Sequence, residues 1–369
     1  MQETDEIKKE NVSRFTCSSC GANMIFNPGN QRLQCTYCET IEKIESKGTI
    51  DETRYDLYLE KGIQNLQPMA QNAMQVSCES CGATVNFTPP ETTDECDFCA
   101  AKIVALPKSA DLLISPNGIL PLGVTASEAK EYFQEWIRSR WFVPNKLKKL
   151  AKESEKHSIY IPYWMYDGFA NSDYTGQRGV THYTTETYYE NGERKTRQTS
   201  HTEWTSVSGS VFNQFENVSI AATKSVPRKY LDKLEPWTLS SVKSYDPAYL
   251  SGHKAQTYQV PLEESYELFK DAANKLIYSE IRSDIGGDQQ RIDNVSSRFS
   301  DITFKHLLLP VYALAYLYKS GVYQVFINGR TGEVQGERPY SFVKIIGLIF
   351  LILFVIVYGL HLLHVFGIT

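Results

Sequence analysis

All eight cysteines of this chain fall between Cys17 and Cys99, and their spacing constrains that stretch more tightly than any other feature of the sequence. They form four C-x2-C pairs, and Cys17, Cys20, Cys35 and Cys38 recur 61 positions later as Cys78, Cys81, Cys96 and Cys99. Gly21 and Ala22 answer to Gly82 and Ala83, Phe26 to Phe87, Pro28 to Pro89, and Tyr37 to Phe98, so one small fold is used twice. Each copy reads C-x2-C-x14-C-x2-C. Two tight turns then present two sulfurs apiece to one tetrahedral centre, closing a short three-stranded ribbon over the intervening residues.

Such a ribbon has too little apolar surface to fold unaided. Zinc bound by thiolates contributes on the order of 10 to 16 kcal/mol, enough to decide whether it folds. Four thiolates leave no coordination position for water or substrate, so two structural Zn2+ sites are expected. Gly21 and Gly82 follow the second cysteine of each copy and permit the positive φ that a metal knuckle needs. Glu39 and Ala100 stand at the equivalent positions of the second knuckles, a tolerable departure. A thioredoxin-like redox role would want one pair opening a helix in a βαβ unit, which four evenly paired motifs do not offer. The paired spacing fits metal ligation in a reducing compartment better than a disulfide framework.

At the other end, Ile345–Leu363 holds 15 Leu, Ile, Phe or Val in 19 positions, with no Asp, Glu, Lys or Arg. As a helix it spans roughly 28 Å, about one hydrocarbon core. Its apolar side chains favour insertion by about 5 to 9 kcal/mol, which two glycines, Tyr358 and His361 reduce without reversing. Lys319, Arg330, Arg338 and Lys344 precede the span, whereas only His361 and His364 lie near its far end. The positive-inside rule therefore places the soluble part in the cytoplasm, giving a single-pass protein of the cell membrane. The two histidines lack a third ligand and read as interfacial rather than metal-binding. Met1–Glu10 is polar and mostly acidic, unlike a secretory signal.

Between these ends the chain reads as α+β. Apolar residues Tyr132, Phe133, Trp136 and Ile137 predict a helix opening at Ser127 and Glu131, and Lys146–Lys156 predicts a second with a solvated basic face. Ile159–Phe169 is aromatic-rich, and Tyr174–Ser225 is dense in Thr, Tyr and Val about a turn at Glu190–Glu193, a β-hairpin or meander whose tip projects into water. Tyr266, Phe269, Ala273, Leu276, Ile277 and Ile281 mark a helix over Glu263–Arg282; His306–Tyr318 and Val322–Ile327 flank a tight turn as strands. The expected plan is two small β zinc ribbons (12–40 and 76–105), a linker (41–75) with a short helix around Tyr55–Leu66, an α+β domain (110–340) and one transmembrane helix (343–366).

Charge narrows the function. The whole chain carries a formal −5. Residues 1–108 hold ten Lys or Arg against sixteen Asp or Glu, and each zinc with four thiolates adds about −2. Phosphate repels such a body, so nucleic acid is a poor partner and protein docking the better one. For catalysis, Asp167, His253, Asp284, Asp288 and His306 are the polar candidates, and their spacing matches no hydrolase, nucleotidyl-transfer or metalloprotease pattern. Asp284 and Asp288 flank Gly286–Gly287, as a capped loop after a helix would. Tyr163, Trp164 and Tyr166 read as core aromatics before they read as a groove.

The two ribbons, IPYWMYDG at Ile161–Gly168, the Trp204–Ser210 stretch, YLSGHKAQTYQV at Tyr249–Val260, FKHLLLPVY at Phe304–Tyr312, NGRTGEVQGERPYS at Asn328–Ser341 and the apolar tail together resemble a bacterial family. Its members are membrane-bound proteins with transcription-factor-IIB-type zinc ribbons, some mislabelled as primosomal-helicase relatives. No G-x-x-x-x-G-K-[ST] phosphate loop occurs here, so nothing of a helicase is present. The resemblance implies a non-catalytic membrane adaptor working beside a flotillin-like (SPFH-domain) partner and a phage-shock-protein-A-type membrane-stress protein. The single span departs from any arrangement that needs several. The sequence thus predicts a membrane-anchored adaptor that recruits cytoplasmic proteins. Its rivals are a membrane-tethered nucleic-acid binder and an enzyme with a site in the central domain.

Overall fold

The computed structural model describes residues 15–45, 48, 50–61, 66–67, 74–77, 84–87, 93–95, 102–104, 113–144, 147, 157–190, 193–319 and 321–365. A small N-terminal region of strands carrying a cysteine cluster leads into a large, sheet-rich α+β body and then an apolar C-terminal helix. The body is organised by three very long antiparallel strands. His157–Glu190 lies in the middle, with Glu193–Ala221 on one side and Gln289–Tyr318 on the other. At about 3.3 Å per residue, the 34-residue middle strand has a contour of roughly 110 Å.

Burial explains why the aromatic run Ile159–Phe169 becomes a central strand. Ile159, Ile161, Tyr163 and Met165 enter one core cluster with Leu231 and Trp237, while Trp164 and Tyr166 enter another under the helix Leu262–Ile285. The side chains alternate with period two, and both faces are apolar because both are covered. Trp164 and Tyr166 are completely buried, so they are core rather than groove. Trp164 donates Nε1–H to the Val260 carbonyl at 2.9 Å, which satisfies the polar end of the indole.

The three strands bend together at one level. Pairing slips between Tyr166 and Gly168 on one side and between Asp167 and Phe169 on the other. Asn217 and Asp301, which face that slip from the two flanking strands, both take positive φ (52° and 51°). Asn and Asp tolerate the left-handed region better than most residues, which is what a bulge asks of them. Lys305 closes this level, reaching Glu52 at 2.8 Å and Asp167 at 3.3 Å with its own side chain only 13% exposed.

The sequence-predicted helices are present with altered details. Ala126–Ser139 is capped by Thr125, whose hydroxyl accepts from the Glu128 amide while Glu128 reaches back to the Thr125 amide. The capping box therefore sits ahead of the Ser127 and Glu131 read from sequence. Leu262–Ile285 buries Ser265 in place of the expected Leu276, which is exposed. Ser265 lies next to Tyr166, and the two hydroxyls share a 2.5 Å bond that makes a polar residue welcome there. The expected helix at Lys146–Lys156 lies outside the described residues, apart from Leu147. Gln289–Phe304, which the sequence pattern does not mark as strand, forms the first half of the third long strand.

Three parts of the sequence reading reappear directly. Tyr318 pairs with Gly321 across the tight turn. Glu190 pairs with Glu193 at the hairpin end. The helix Phe342–Val365 contains a 20-residue stretch, Phe342–His361, of mean hydropathy 2.8 with none of it buried, long and apolar enough to cross a membrane. Within 41–75, a short helix Tyr55–Lys61 follows the strand Thr53–Arg54, which pairs with Thr303–Phe304; Tyr55 stacks on Tyr266 at 4.2 Å.

Candidate metal centre

The first ribbon begins from hydrogen-bonded turns. Met24–Asn27 pairs with Arg32–Cys35, which pairs with Ile41–Glu42, and the Thr16–Asn23 bridge closes the first knuckle. The two knuckles therefore end on adjacent strands, and the four sulfurs of Cys17, Cys20, Cys35 and Cys38 converge within 4.8 Å of one another. Cys17 and Cys38 lie 3.5 Å apart, as do Cys20 and Cys35. A ZnS4 tetrahedron with Zn–S of ~2.3 Å has sulfurs about 3.8 Å apart, so the set fits one zinc ion.

The surroundings of the sulfurs fit the same ion. The Ser19 amide donates to Cys17 Sγ at 3.4 Å, and the Tyr37 and Cys38 amides donate to Cys35 Sγ at 3.4 and 3.5 Å. Such bonds stabilise thiolate and fix its direction. Gly21 has φ of 74°, as its place in the knuckle requires, and Glu39 adopts φ of 59° at the equivalent place in the second. The missing glycine therefore changes the residue and not the backbone. The Thr40 hydroxyl, 3.1 Å from Cys38 Sγ, together with the Thr40 amide, lowers that thiol to about 6. Cys20 is favoured as thiolate by the Ala22 amide, but the neighbouring Cys38 sulfur and desolvation outweigh this and push it up to about 12. Packed this closely, four sulfurs need a cation among them to be charged together.

The ribbon is seated on the body rather than hung from it. Cys17, Met24, Phe26, Leu33 and Cys35 belong to the same core cluster as Val124, Phe133, Ile137, Tyr160 and Tyr249. Burying Met24, Phe26 and Leu33 stabilises the seat by roughly 1.5 to 3 kcal/mol each. Backbone and side chain fasten it as well. The Phe26 amide donates to the Ser251 carbonyl at 2.9 Å, and Ser251 Oγ donates to the Met24 carbonyl at 2.7 Å. Gln31 reaches the Leu122 carbonyl at 2.6 Å, and His253 Nε2 donates to the Phe26 carbonyl at 3.1 Å. Gly252 (φ 81°) must be glycine for a second reason, because a Cβ there would meet Ile25 at 2.9 Å. No residue pattern marks this seat: the sequence singles out His253 only as a polar candidate for catalysis, and the stretch Tyr249–Val260 only through the resemblance.

Cys78, Cys81, Cys96 and Cys99 lie outside the described residues. Among the described residues, two of the first copy's strand pairings recur at the equivalent positions, whereas the pairing of Met24–Asn27 with Arg32–Cys35 has no counterpart, Thr84–Phe87 pairing with Met74–Ser77 instead. Leu33 pairs with Glu42 and Gln34 with Ile41, and 61 positions on, Asp94 pairs with Ile103 and Glu95 with Lys102. Ser77 likewise pairs with Thr84, as Thr16 does with Asn23.

The polar residues weighed for catalysis are dispersed. Asp284 accepts from the Tyr174 hydroxyl at 2.6 Å and Asp288 from the Thr181 amide at 2.7 Å, holding the end of the long helix against the hairpin. Asp167 accepts from the Asn217 amide at 2.7 Å. His253 bonds to Ser158 at 2.6 Å, and burial holds it below the usual histidine range. His306 is wholly buried against Trp164, donates Nδ1–H to the Ile114 carbonyl at 2.9 Å, and is lowered to about 4 by that burial.

No family model matches the chain, and no solved structure matches it. A protein of Bacillus subtilis strain 168 known only as the uncharacterized protein YdjG is similar to it, 24% identical over 338 residues, covering 89% of this chain and 91% of that protein.

Proposed function

We propose that this is a non-catalytic adaptor of the cell membrane: the C-terminal helix spans the bilayer, the body stands on its cytoplasmic side, and zinc-stiffened ribbons dock a protein partner. One observation carries the reading. The core cluster that holds Cys17 and Cys35 also holds Val143, and the Val143 carbonyl accepts from Lys344 in the first turn of the apolar helix. The ribbon is thus packed into a core that is hydrogen-bonded, through Val143, to the first turn of the anchor helix, as a docking head tied to a membrane would be. Two structural zinc ions, one on Cys17, Cys20, Cys35 and Cys38 and one on Cys78, Cys81, Cys96 and Cys99, follow from the repeated spacing.

The structural bonds of Asp167, His253, Asp284, Asp288 and His306 support a role without chemistry. The acidic N-terminal region supports a protein partner over nucleic acid, and the resemblance points to a flotillin-like SPFH protein. Co-purification of the full chain with such a protein from membranes tests this. Capture should depend on the ribbon cysteines, and a Cys17→Ser/Cys20→Ser variant that captures the SPFH protein as well as the parent would overturn the docking role. Retention of the full chain on DNA at physiological salt would favour the nucleic-acid rival.

A further inference from the structure

A cleft of about 460 Å³ opens where the body meets the apolar helix, lined by Trp136, Arg140, Tyr230, Tyr323, Arg338 and Tyr340 among others. Two guanidinium groups share one indole there. Arg140 lies 5.7 Å and Arg338 5.9 Å from the Trp136 ring centre, and Arg338 also lies 5.5 Å from that of Tyr340. Neither arginine has a carboxylate partner among the described residues, and the one acid of the lining, Glu337, accepts from the Tyr230 hydroxyl at 3.1 Å. The cleft therefore offers two guanidinium groups with no direct carboxylate partner in an aromatic frame, against a single carboxylate in the lining, and guanidinium is the donor that binds phosphate oxygens bidentately.

Its position specifies the source of the phosphate. The Ser341 amide donates to the Phe142 carbonyl at 2.7 Å, and Lys344 donates to the carbonyls of Trp141 and Val143 at 3.0 and 2.9 Å. These bonds hold residues 141–143 beside the first turn of the helix Phe342–Val365. Arg140 and Tyr340 are the residues immediately outside those contacts, each about 3.8 Å of chain from them. Trp141 points outward, 67% exposed, where an indole suits the boundary between headgroups and acyl chains. We propose that this cleft binds the phosphate headgroup of an anionic phospholipid in the leaflet the helix enters, clamped by Arg140 and Arg338 against Trp136 and Tyr340. The proposal rests on the helix being a membrane span.

The test uses the full chain in neutral detergent micelles, titrated with phosphatidylglycerol, with phosphatidylcholine and with inorganic phosphate. Bound lipid is counted by native mass spectrometry, and membrane insertion is scored separately by alkaline extraction. Phosphatidylglycerol should be retained in preference to phosphatidylcholine. Arg140→Gln and Arg338→Gln should each weaken it about five-fold, and Arg338→Lys should lose less than Arg338→Gln. Unchanged thermal unfolding would show the variants folded. Equal retention of the two lipids, an undiminished affinity in the Arg140→Gln/Arg338→Gln variant, or inorganic phosphate competing as strongly as the lipid would each overturn the headgroup site. A chain extracted at alkaline pH would instead sink the span itself, a separate failure that the micelle titration does not produce.

Discussion

The first cysteine ribbon, a three-stranded sheet of its own, and the far end of the long hairpin, which belongs to the large sheet of the body, are both small β structures, and they are held by opposite means. The ribbon's strands are two to four residues long, too short to persist as a ladder. It depends on a four-sulfur centre and on Met24, Phe26 and Leu33 buried in the body's core. The hairpin end, from Val180 to Glu203, has neither. The third long strand begins opposite Gly179, and the Gly286–Gly287 turn ends the supporting helix at the same level. Trp204 closes this root by lying against Gly179 with Arg291 3.8 Å from its ring centre. Beyond it two strands continue alone, mostly exposed on both faces. Short strands need side-chain anchorage; long ones persist by extending a register that a supported root has already fixed.

The largest effect should come from removing the metal support. Zinc binding is worth on the order of 10 to 16 kcal/mol, as much as the whole stability of an ordinary domain. Cys35→Ser should lose the first zinc and leave the amides of residues 15–42 unprotected against hydrogen exchange. Protection should also fall at Ser251 and His253, because the seat loses its occupant. Elemental analysis and exchange mass spectrometry of the full chain read both. If residues 15–42 stayed protected without metal, the core contacts alone would hold the ribbon, and the contrast with the hairpin would be one of packing only.

Phe26→Ala separates the two supports. The ring is fully buried, edge-on to Tyr249 at 5.3 Å and near His253 at 6.1 Å, and it is not a ligand. The expected cost is about 3 to 5 kcal/mol, seen as a lowered denaturation midpoint for the ribbon with zinc content unchanged. Loss of zinc in this variant would mean that the seat positions the sulfurs and that the two supports are one.

These contrasts mark what the sequence could disclose. The cysteine spacing announced the ribbon because metal geometry admits few spacings, and the apolar tail announced a helix because bilayer-scale hydropathy is a local property. The knuckle at Glu39 was harder to foresee: a non-glycine residue in the left-handed region is readable only from the backbone. The seat was illegible for a different reason. Phe26, Ser251 and His253 meet across more than two hundred residues, and no local pattern encodes such a contact. Gln289–Phe304 is hard to read as strand because its apolar residues Ile292, Val295, Phe299 and Ile302 stand three or four apart, a spacing produced by two register slips against the middle strand that only the paired structure reveals.

The smallest effect is expected at the hairpin end, and it bears most directly on why that end exists. Tyr183 and Tyr189 are 68% and 74% exposed, and the His182–Glu203 ion pair is open to water on both partners. Nothing buried is lost on truncating the rings, so Tyr183→Ala/Tyr189→Ala should change stability by within about 0.5 kcal/mol per site. Amides at 181–189 should exchange well before those at 169–178, where the third strand and the helix lie alongside. A cost above about 2 kcal/mol, or protection at 181–189 equal to that of the root, would require that the rings be buried in the working protein. The hairpin end would then belong with the ribbon, as a structure completed by what it packs against, rather than with self-sustaining ladders.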